Sequence, residues 1–152
     1  MTLPFMTHFH DGTPTHFVEK IWETIFQKGI EIKMHEFIEY GRKTLPAHYK
    51  IGTHEPKLHT IRQDKKNRWK AGVDIHFVIN NRTPERFQFA PVIPCVSVQE
   101  IEIIYSDEDL CEHNGVEPVV KIDGRILDFY KNEYEELAIN DGFENISRFW
   151  RR

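Results

Sequence analysis

The first strong pattern along the chain is an amphipathic helix near the N-terminus. In the stretch DGTPTHFVEKIWETIFQKG, apolar side chains recur at helical spacing. The predicted buried face consists of Phe17, Val18, Ile21, Trp22, Ile25 and Phe26. Thr13 can cap this helix, Pro14 suits its first position, and Gly29 can end it. The pattern therefore predicts one helix with both ends marked.

From residue 73 onward the hydrophobic period changes to two, which is typical of strands. In VDIHFVI, residues 73–79, the odd-numbered side chains are apolar, as in a half-buried strand. NNRTPE then predicts a turn, RFQFAPV a second strand and PCVSVQEIEIIY a third. The third strand loses its alternation near Gln99 and Glu100. We expect a β-bulge there, of the kind that bends a sheet toward barrel closure.

The remaining segments complete a mixed pattern. Asp123 and Gly124, in VVKIDGRIL, predict a tight hairpin. The C-terminal residues 128–152 return to helix, with Gly142 as the stop. Four apolar side chains beyond it are expected to pack back on the core: Phe143, Ile146, Phe149 and Trp150. We predict a single α+β domain over residues 1–152, with residues 30–55, where the pattern weakens, as an insertion.

The charge distribution is asymmetric, although the net charge is only −4. Between Pro56 and Lys70 there are six basic residues and the single acid Asp64, whereas residues 87–120 contain acids and no Lys or Arg. A basic band beside an acidic flank can orient an anionic ligand, and a solvated surface has the same composition. The mild average charge argues against a general nucleic-acid coat protein.

The cysteine count and the hydropathy favour a reducing cytoplasm. The chain has two cysteines without the spacing of a disulfide framework or a zinc knuckle. No apolar run approaches the roughly 18 residues of a membrane span, and the N-terminus lacks the pattern of a signal peptide.

Three short motifs, in order across most of residues 14–150, carry a family resemblance. They are KLHTIRQD, which contains Lys57, Thr60 and Arg62, then RWKAG, and finally ELAINDGFENISRFW. With its Lys-x-x-Thr-x-Arg signature, the chain resembles the ASCH family, a branch of the PUA-like proteins. The resemblance implies a small PUA-like β-barrel with flanking helices. It also implies a cleft, bordered by the signature and the first helix, that binds RNA or a nucleoside-like ligand.

The signature residues suggest the same kind of site by their chemistry. Thr60 and Arg62 face one way if they lie on a strand. The planar fork of an arginine suits a phosphate or a base edge. Lys57 can lose proton affinity in a closed cleft, and a neutral lysine can activate a threonine hydroxyl as a nucleophile. Alternatively, Lys57 is a solvated loop residue, Thr60 a β-former and Arg62 a surface charge.

The resemblance also implies a second possible function. Some ASCH relatives are small amidohydrolases that remove an acetyl group from modified cytidine, with a lysine, a threonine and a glutamate as proposed machinery. When these roles are carried over to this chain, Lys57 is the base and Thr60 is the nucleophile. The aligned position of the glutamate falls near Ser97 or Val98, so Glu100 is the nearest carboxylate. Because leaving-group protonation then has no obvious donor, binding is favoured over hydrolysis.

Aromatic and histidine residues add further candidates for ligand binding. Trp69 among basic residues suits stacking of a nucleic-acid base, or it packs on the barrel. His59, inside the signature, is a candidate cleft residue. Thr13, Thr15 and His16 surround the expected helix N-terminus, where backbone N–H groups can bind an anion, although a plain capped helix explains them too.

The histidines ahead of and inside the first predicted helix are candidates for a metal site. His8, His10 and His16, with Asp11, supply the ligand types of zinc or iron sites. Their spacing matches no strong motif, so we predict neither a metal nor a cofactor. The predicted function is binding of RNA or a modified nucleoside. The alternatives are an amidohydrolase of an acylated base and an interaction module of phage or mobile-element origin.

Overall fold

The first helix is present, with a later start than predicted. In the computed structural model, which describes residues 1–105 and 118–151, helix α1 spans Phe17–Gln27. Its N-cap is His16 in the left-handed region (φ 54°), and the Phe17 N–H donates to the Thr15 hydroxyl over 3.3 Å. Thr13 as cap and Pro14 as first helical residue are therefore wrong. The Thr15 hydroxyl in turn donates to the Met6 carbonyl at 2.8 Å, which ties the start of α1 to the segment after the first strand.

The predicted end and buried face of α1 are confirmed. Gly29 has a φ of 62°, and its N–H donates to the Phe26 carbonyl, which closes the helix. Five of the six predicted side chains are buried and Phe26 is partly buried against the core. Trp22, fully buried, donates its indole N–H to the Phe89 carbonyl at 3.0 Å. This bond ties α1 to residues 89–92, which connect two strands of the first sheet.

The first sheet is built around one central strand. Strand β1, Thr2–Phe5, pairs in parallel with β2, Asp74–Ile79. On the other edge of β2 lie two short antiparallel strands, β3 (Phe87–Gln88) and β4 (Ile93–Pro94). The predicted strand is confirmed, but Val78, on the face predicted to be polar, is its one fully buried side chain. The other residues of β2 are exposed or partly buried on both faces, so the observed burial does not follow a strict alternation.

A second, antiparallel sheet contains β5 (Ile101–Ile104), β6 (Val119–Ile122) and β7 (Arg125–Ile126). Asp123 and Gly124, both with positive φ, form the predicted hairpin between β6 and β7. The predicted third strand, residues 94–105, is wrong as a single element: within it only residues 101–104 form a strand, β5, while Pro94 at its start belongs to β4 in the first sheet. The Glu100 N–H donates to the Asp123 carboxylate at 2.9 Å, at the start of β5.

The architecture is α+β, as predicted. The strands of the described ranges form two separate sheets, and no closed barrel is found among them. The β-bulge expected near Gln99 and Glu100 is wrong, because residues 95–100 form no strand.

The segment predicted as an insertion folds back on α1. It contains α2 (Met34–Glu36), a π-helical turn (Phe37–Gly41) and α3 (Arg42–Thr44). Phe37 packs edge-on against Trp22, with ring centroids 5.7 Å apart. The buried carboxylate of Glu23 accepts hydrogen bonds from the Tyr49 hydroxyl and from the N–H groups of Gly52 and Thr53. One charged side chain of α1 therefore organises the loop that leads to Lys57.

The C-terminal region contains a 3₁₀ turn (Phe129–Lys131), α4 (Glu133–Asn140) and α5 (Ile146–Trp150). Gly142, with a φ of 89°, ends α4 as predicted, and the Phe143 N–H donates to the Ala138 carbonyl. The side chains predicted to pack back do so: Phe143, Ile146 and Phe149 are buried, and Trp150 packs against the core. Among the helices of the described ranges, none has the length and apolar character needed to cross a membrane.

Candidate functional site

A cleft with a volume of about 600 Å³ opens where the parallel strands β1 and β2 end. Its apolar and backbone lining comes from β1, the loop after it, α1 and the chain after α4: Pro4, Phe5, Met6, Phe9, Phe17 and Phe143. Its polar lining consists of Thr7, His8, Lys57, Arg62, Asn80, Asn81 and Asp141. Aromatic walls and converging polar groups are typical of small-molecule sites of this size.

The Lys-x-x-Thr-x-Arg segment crosses this cleft without forming a strand. The N–H of Lys57 donates to the Lys20 carbonyl on α1, and the Lys57 carbonyl accepts from the Thr24 hydroxyl at 2.8 Å. The N–H groups of Leu58 and His59 donate to the Asn140 carbonyl, at the end of α4. The expected strand is wrong because two helices, and not a neighbouring strand, satisfy these backbone groups.

Lys57 forms a buried ion pair with Asp141 at the floor of the cleft. Its ammonium lies 2.6 Å from the Asp141 carboxylate and also donates to the Asp141 backbone carbonyl. The same carboxylate oxygen accepts the Ile61 N–H at 3.2 Å. The Lys57 ammonium also lies 4.8 Å from the centroid of the Phe17 ring, a cation–π contact. Asp141 therefore holds the side chain of Lys57 and the backbone of the signature together.

Gly142 allows this close approach. A Cβ built at Gly142 would lie 3.0 Å from both Lys57 Cδ and Phe17 Cε1, in a backbone conformation that already disfavours a side chain. The Gly142 carbonyl accepts the Lys20 ammonium at 2.7 Å. Burial lowers the pKa of Lys20, against acidic neighbours that raise it. The pair Asp141 and Gly142 thus joins the end of α4 to the lysines of the signature and of α1.

Arg62 stands at the exposed mouth of the cleft. Its guanidinium donates to the Pro4 and Ile61 carbonyls, each over 3.1 Å, and its Cζ lies 5.6 Å from the centroid of the Phe5 ring. These contacts hold the planar fork against the cleft wall, where a phosphate or a base edge can reach it.

Five polar lining residues are absent from the predicted site: Thr7, His8, Asn80, Asn81 and Asp141. The two asparagines follow β2 directly, and Asn80 adopts a φ of 51°. The segment NNRTPE, which contains both asparagines, predicts a turn but does not show that this turn begins beside the end of β1. Asp141 lies inside the third motif and directly before the predicted helix stop, and that position could have marked it.

Several predicted site residues do not line the cleft. The Thr60 hydroxyl oxygen is buried and has no hydrogen-bond partner among the described residues. Glu100 is exposed, and its backbone bonds to Asp123 in the second sheet. His59 is exposed as well. Of the three residues proposed for catalysis, only Lys57 reaches the cleft.

Trp69 and Thr13 have clear structural partners. Trp69 is partly buried against the core, and its backbone N–H donates to the Asp64 carboxylate at 2.8 Å. The Thr13 hydroxyl donates to Asp11, which also receives the Arg148 guanidinium at 2.6 Å. These hydrogen bonds hold the pKa of Asp11 well below its ordinary value. Neither Trp69 nor Thr13 is a lining residue of the cleft.

Thr15 and His16 belong to the N-terminus of α1. Thr15 is buried, and its hydroxyl donates to the Met6 carbonyl and accepts the Phe17 N–H. The His16 ring stacks on His54, with centroids 4.8 Å apart. Burial lowers the pKa of His54, and the neighbouring His16 lowers it further. In residues 1–105 and 118–151, no group of three or more His, Cys, Asp or Glu side chains is arranged to hold a metal ion.

The arrangement can enclose a planar, polar molecule. Aromatic rings can contact its faces, the asparagines and the ion pair offer donors and acceptors, and Arg62 offers charge at the open side. No protein-family model, curated protein or solved structure matches the chain.

Proposed function

We propose that the cleft binds one nucleoside or nucleotide unit, free or within RNA, as an ASCH-type, PUA-like domain would. The observation that carries the proposal is the cleft itself, which combines four phenylalanine rings with Arg62, the asparagine pair and the buried pair of Lys57 and Asp141. A PUA-like barrel is the finer architecture in this proposal. Its support is the α+β architecture, in which α1 precedes most of the short strands and α4 and α5 follow them.

The physical support is the match between these groups and the parts of a nucleotide. A base presents two apolar faces, which suit aromatic walls, and polar edges, which suit amide side chains. A phosphate suits the guanidinium fork at the mouth. The volume of about 600 Å³ lies within the usual range for small-ligand sites.

Titration calorimetry with nucleosides and their 5′-monophosphates tests the proposal. We expect measurable binding of at least one base, and an affinity about tenfold weaker in Arg62→Gln, which corresponds to roughly 1.4 kcal/mol. Arg125→Gln is the matched control, because Arg125 is an exposed arginine of β7, in the second sheet, and it pairs with Glu133 on α4. Absence of binding by every nucleoside and nucleotide at millimolar concentration would rule the proposal out.

An amidohydrolase acting on an acylated base is the second candidate. One observation favours it: a carboxylate, Asp141, lies beside Lys57 in the cleft and could supply the acid that the sequence did not identify. Two observations rank it lower. The Thr60 hydroxyl does not face the cleft. The Lys57 nitrogen is also engaged in hydrogen bonds to the Asp141 carboxylate and backbone carbonyl.

Incubation with N4-acetylcytidine separates the two candidates. Binding alone leaves the acetyl group in place. Hydrolysis would release acetate with the wild-type protein and not with Lys57→Ala, and that result would reverse the ranking.

A further inference from the structure

A preorganised turn with four exposed basic residues follows directly after the cleft. We call residues 64–70 the basic turn. The backbone N–H of Asn67 donates to the Asp64 carbonyl at 3.1 Å, and the backbone N–H of Trp69 donates to the Asp64 carboxylate. Asn67 adopts a φ of 46°, which the tight turn requires. Because Trp69 packs against the core, the turn is anchored at its far end as well.

The charges of the basic turn point outward and are little compensated. Its exposed cations are Lys65, Lys66, Arg68 and Lys70. Asp64 is the one acid in the turn, and it lies 3.9 Å from the Arg68 guanidinium. The three lysines form no ion pair with an acid of the described ranges. Their ammonium groups are therefore available to an anionic partner.

The basic turn is also close to the cleft mouth. Lys65 is three residues after Arg62, so their Cα atoms lie at most about 11 Å apart. When one charged group of a ligand contacts Arg62, the next charged groups of the same ligand can therefore reach the basic turn. A mononucleotide has no such groups, whereas a polynucleotide has one at every residue.

We infer that the cleft takes one nucleotide of a single-stranded polynucleotide, and that the basic turn contacts the phosphates of the flanking nucleotides. This inference rests on the proposed function. The strand must be single because a base can enter the aromatic walls only when it is unpaired. Lysine contacts to phosphate are independent of sequence, so the cleft supplies selectivity and the turn supplies salt-dependent affinity.

Fluorescence anisotropy with a single-stranded RNA pentanucleotide, beside calorimetry with the matching 5′-monophosphate, tests the inference. Lys65→Gln/Lys66→Gln should weaken pentanucleotide binding and reduce the slope of log affinity against log salt by about 1.4, or 0.7 per lost phosphate contact. Affinity for the monophosphate should not change. The control Lys28→Gln/Lys50→Gln removes two exposed lysines outside the cleft and the turn, and should leave both affinities unchanged.

Two results would overturn the inference while leaving the proposed function intact. One is a pentanucleotide that binds no better than the monophosphate, and the other is an equal response of the two double variants. Equal binding of polyglutamate would assign the basic turn to an acidic protein partner and also overturn it. Absence of binding by both the monophosphate and the pentanucleotide would instead contradict the proposed function.

Discussion

Lys57 and Asp141, 84 residues apart in the chain, meet as a buried ion pair with 2.6 Å between ammonium and carboxylate. The contact joins the signature segment to the end of α4 and forms the floor of the cleft. The cost of removing two charges from water is offset by the additional hydrogen bonds to the Asp141 carbonyl and from the Ile61 N–H.

Asp141→Asn should destabilise the protein by about 3–5 kcal/mol, because it leaves the Lys57 ammonium buried without a counter-charge. Lys57→Met/Asp141→Asn should recover part of this loss, since the double variant removes the uncompensated charge. Urea unfolding followed by circular dichroism measures both.

The exposed ion pair between Lys121 and Glu102 provides a control for this prediction. Its atoms are 3.1 Å apart, and Glu102→Gln should cost less than about 1 kcal/mol because the pair is solvated. Equal losses in Asp141→Asn and Glu102→Gln would show that the buried pair has no special role in stability.

Gly142→Ala should destabilise the protein more than Gly124→Ala. Both glycines have positive φ, which costs an alanine about 1–2 kcal/mol. At Gly142 the added Cβ also meets Lys57 and Phe17 at 3.0 Å, whereas at Gly124 nothing lies within 4 Å. Thermal unfolding of the two variants compares them directly. A smaller loss at Gly142 would mean that Lys57 and Phe17 move aside without cost.

Glu23→Gln should destabilise the protein at neutral pH by about 1–3 kcal/mol, through weakened buried hydrogen bonds. Burial alone raises the pKa of Glu23, but hydrogen bonds led by those from Gly52 and Tyr49 outweigh it and leave the pKa below its ordinary value of 4.5. The charge therefore stabilises the fold above pH 4.5, and this contribution is lost as the pH falls through the lowered pKa.

Unfolding experiments between pH 7 and pH 3 follow this effect. The difference in the free energy of unfolding between wild type and Glu23→Gln should become smaller toward acidic pH. Glu31→Gln, at an exposed position, is the control and should show a small, pH-independent difference. A pH-independent difference for Glu23→Gln would contradict the assignment of the charge.

His54 should titrate below 6.5 in the folded protein, because burial and the stacked His16 ring both disfavour its protonated form. Its contribution to stability is complete above pH 6.5 and is lost as the pH falls through the lowered pKa. NMR titration of the imidazole signals measures this, and His16→Gln should raise the pKa of His54. An unchanged pKa in that variant would exclude coupling between the rings.

Thr60→Val should leave nucleotide affinity unchanged and should stabilise the protein by up to about 1 kcal/mol, because it removes a buried hydroxyl without a described partner. Thr15→Val is the matched control. Its hydroxyl donates to Met6 and accepts from Phe17, so that variant should lose stability. Loss of acetylcytidine hydrolysis in Thr60→Val, if such hydrolysis exists, would instead identify a nucleophile.

Much of the local structure could be predicted from neighbouring residues. Gly29 and Gly142 mark helix ends because such an end often needs a residue in the left-handed region. Glycine adopts that conformation without strain, whatever packs nearby. Asp123 and Gly124 form a hairpin for the same local reason. Strand β2 was identified by its apolar content, but its most buried side chain, Val78, was assigned to the wrong face.

The candidate site was only partly predictable. Lys57 and Arg62 were identified, while Asp141, Asn80 and Asn81 were not. Thr60 falls outside the cleft because α1 and the end of α4 satisfy the backbone of the signature, and Glu100 because it directly precedes β5 of the second sheet. Such features depend on which segments exchange backbone hydrogen bonds, and local spacing carries little information about that choice.

The sequence by itself determined where helices and turns end and which side chains of α1 are buried, because these properties follow from backbone sterics and from periodicity over a few residues. Only the tertiary structure decided which groups share the cleft. The partners of Lys57 come from α1 and from the end of α4, and they meet because packing of the whole core brings Phe17, Gly142 and Asp141 around one ammonium group.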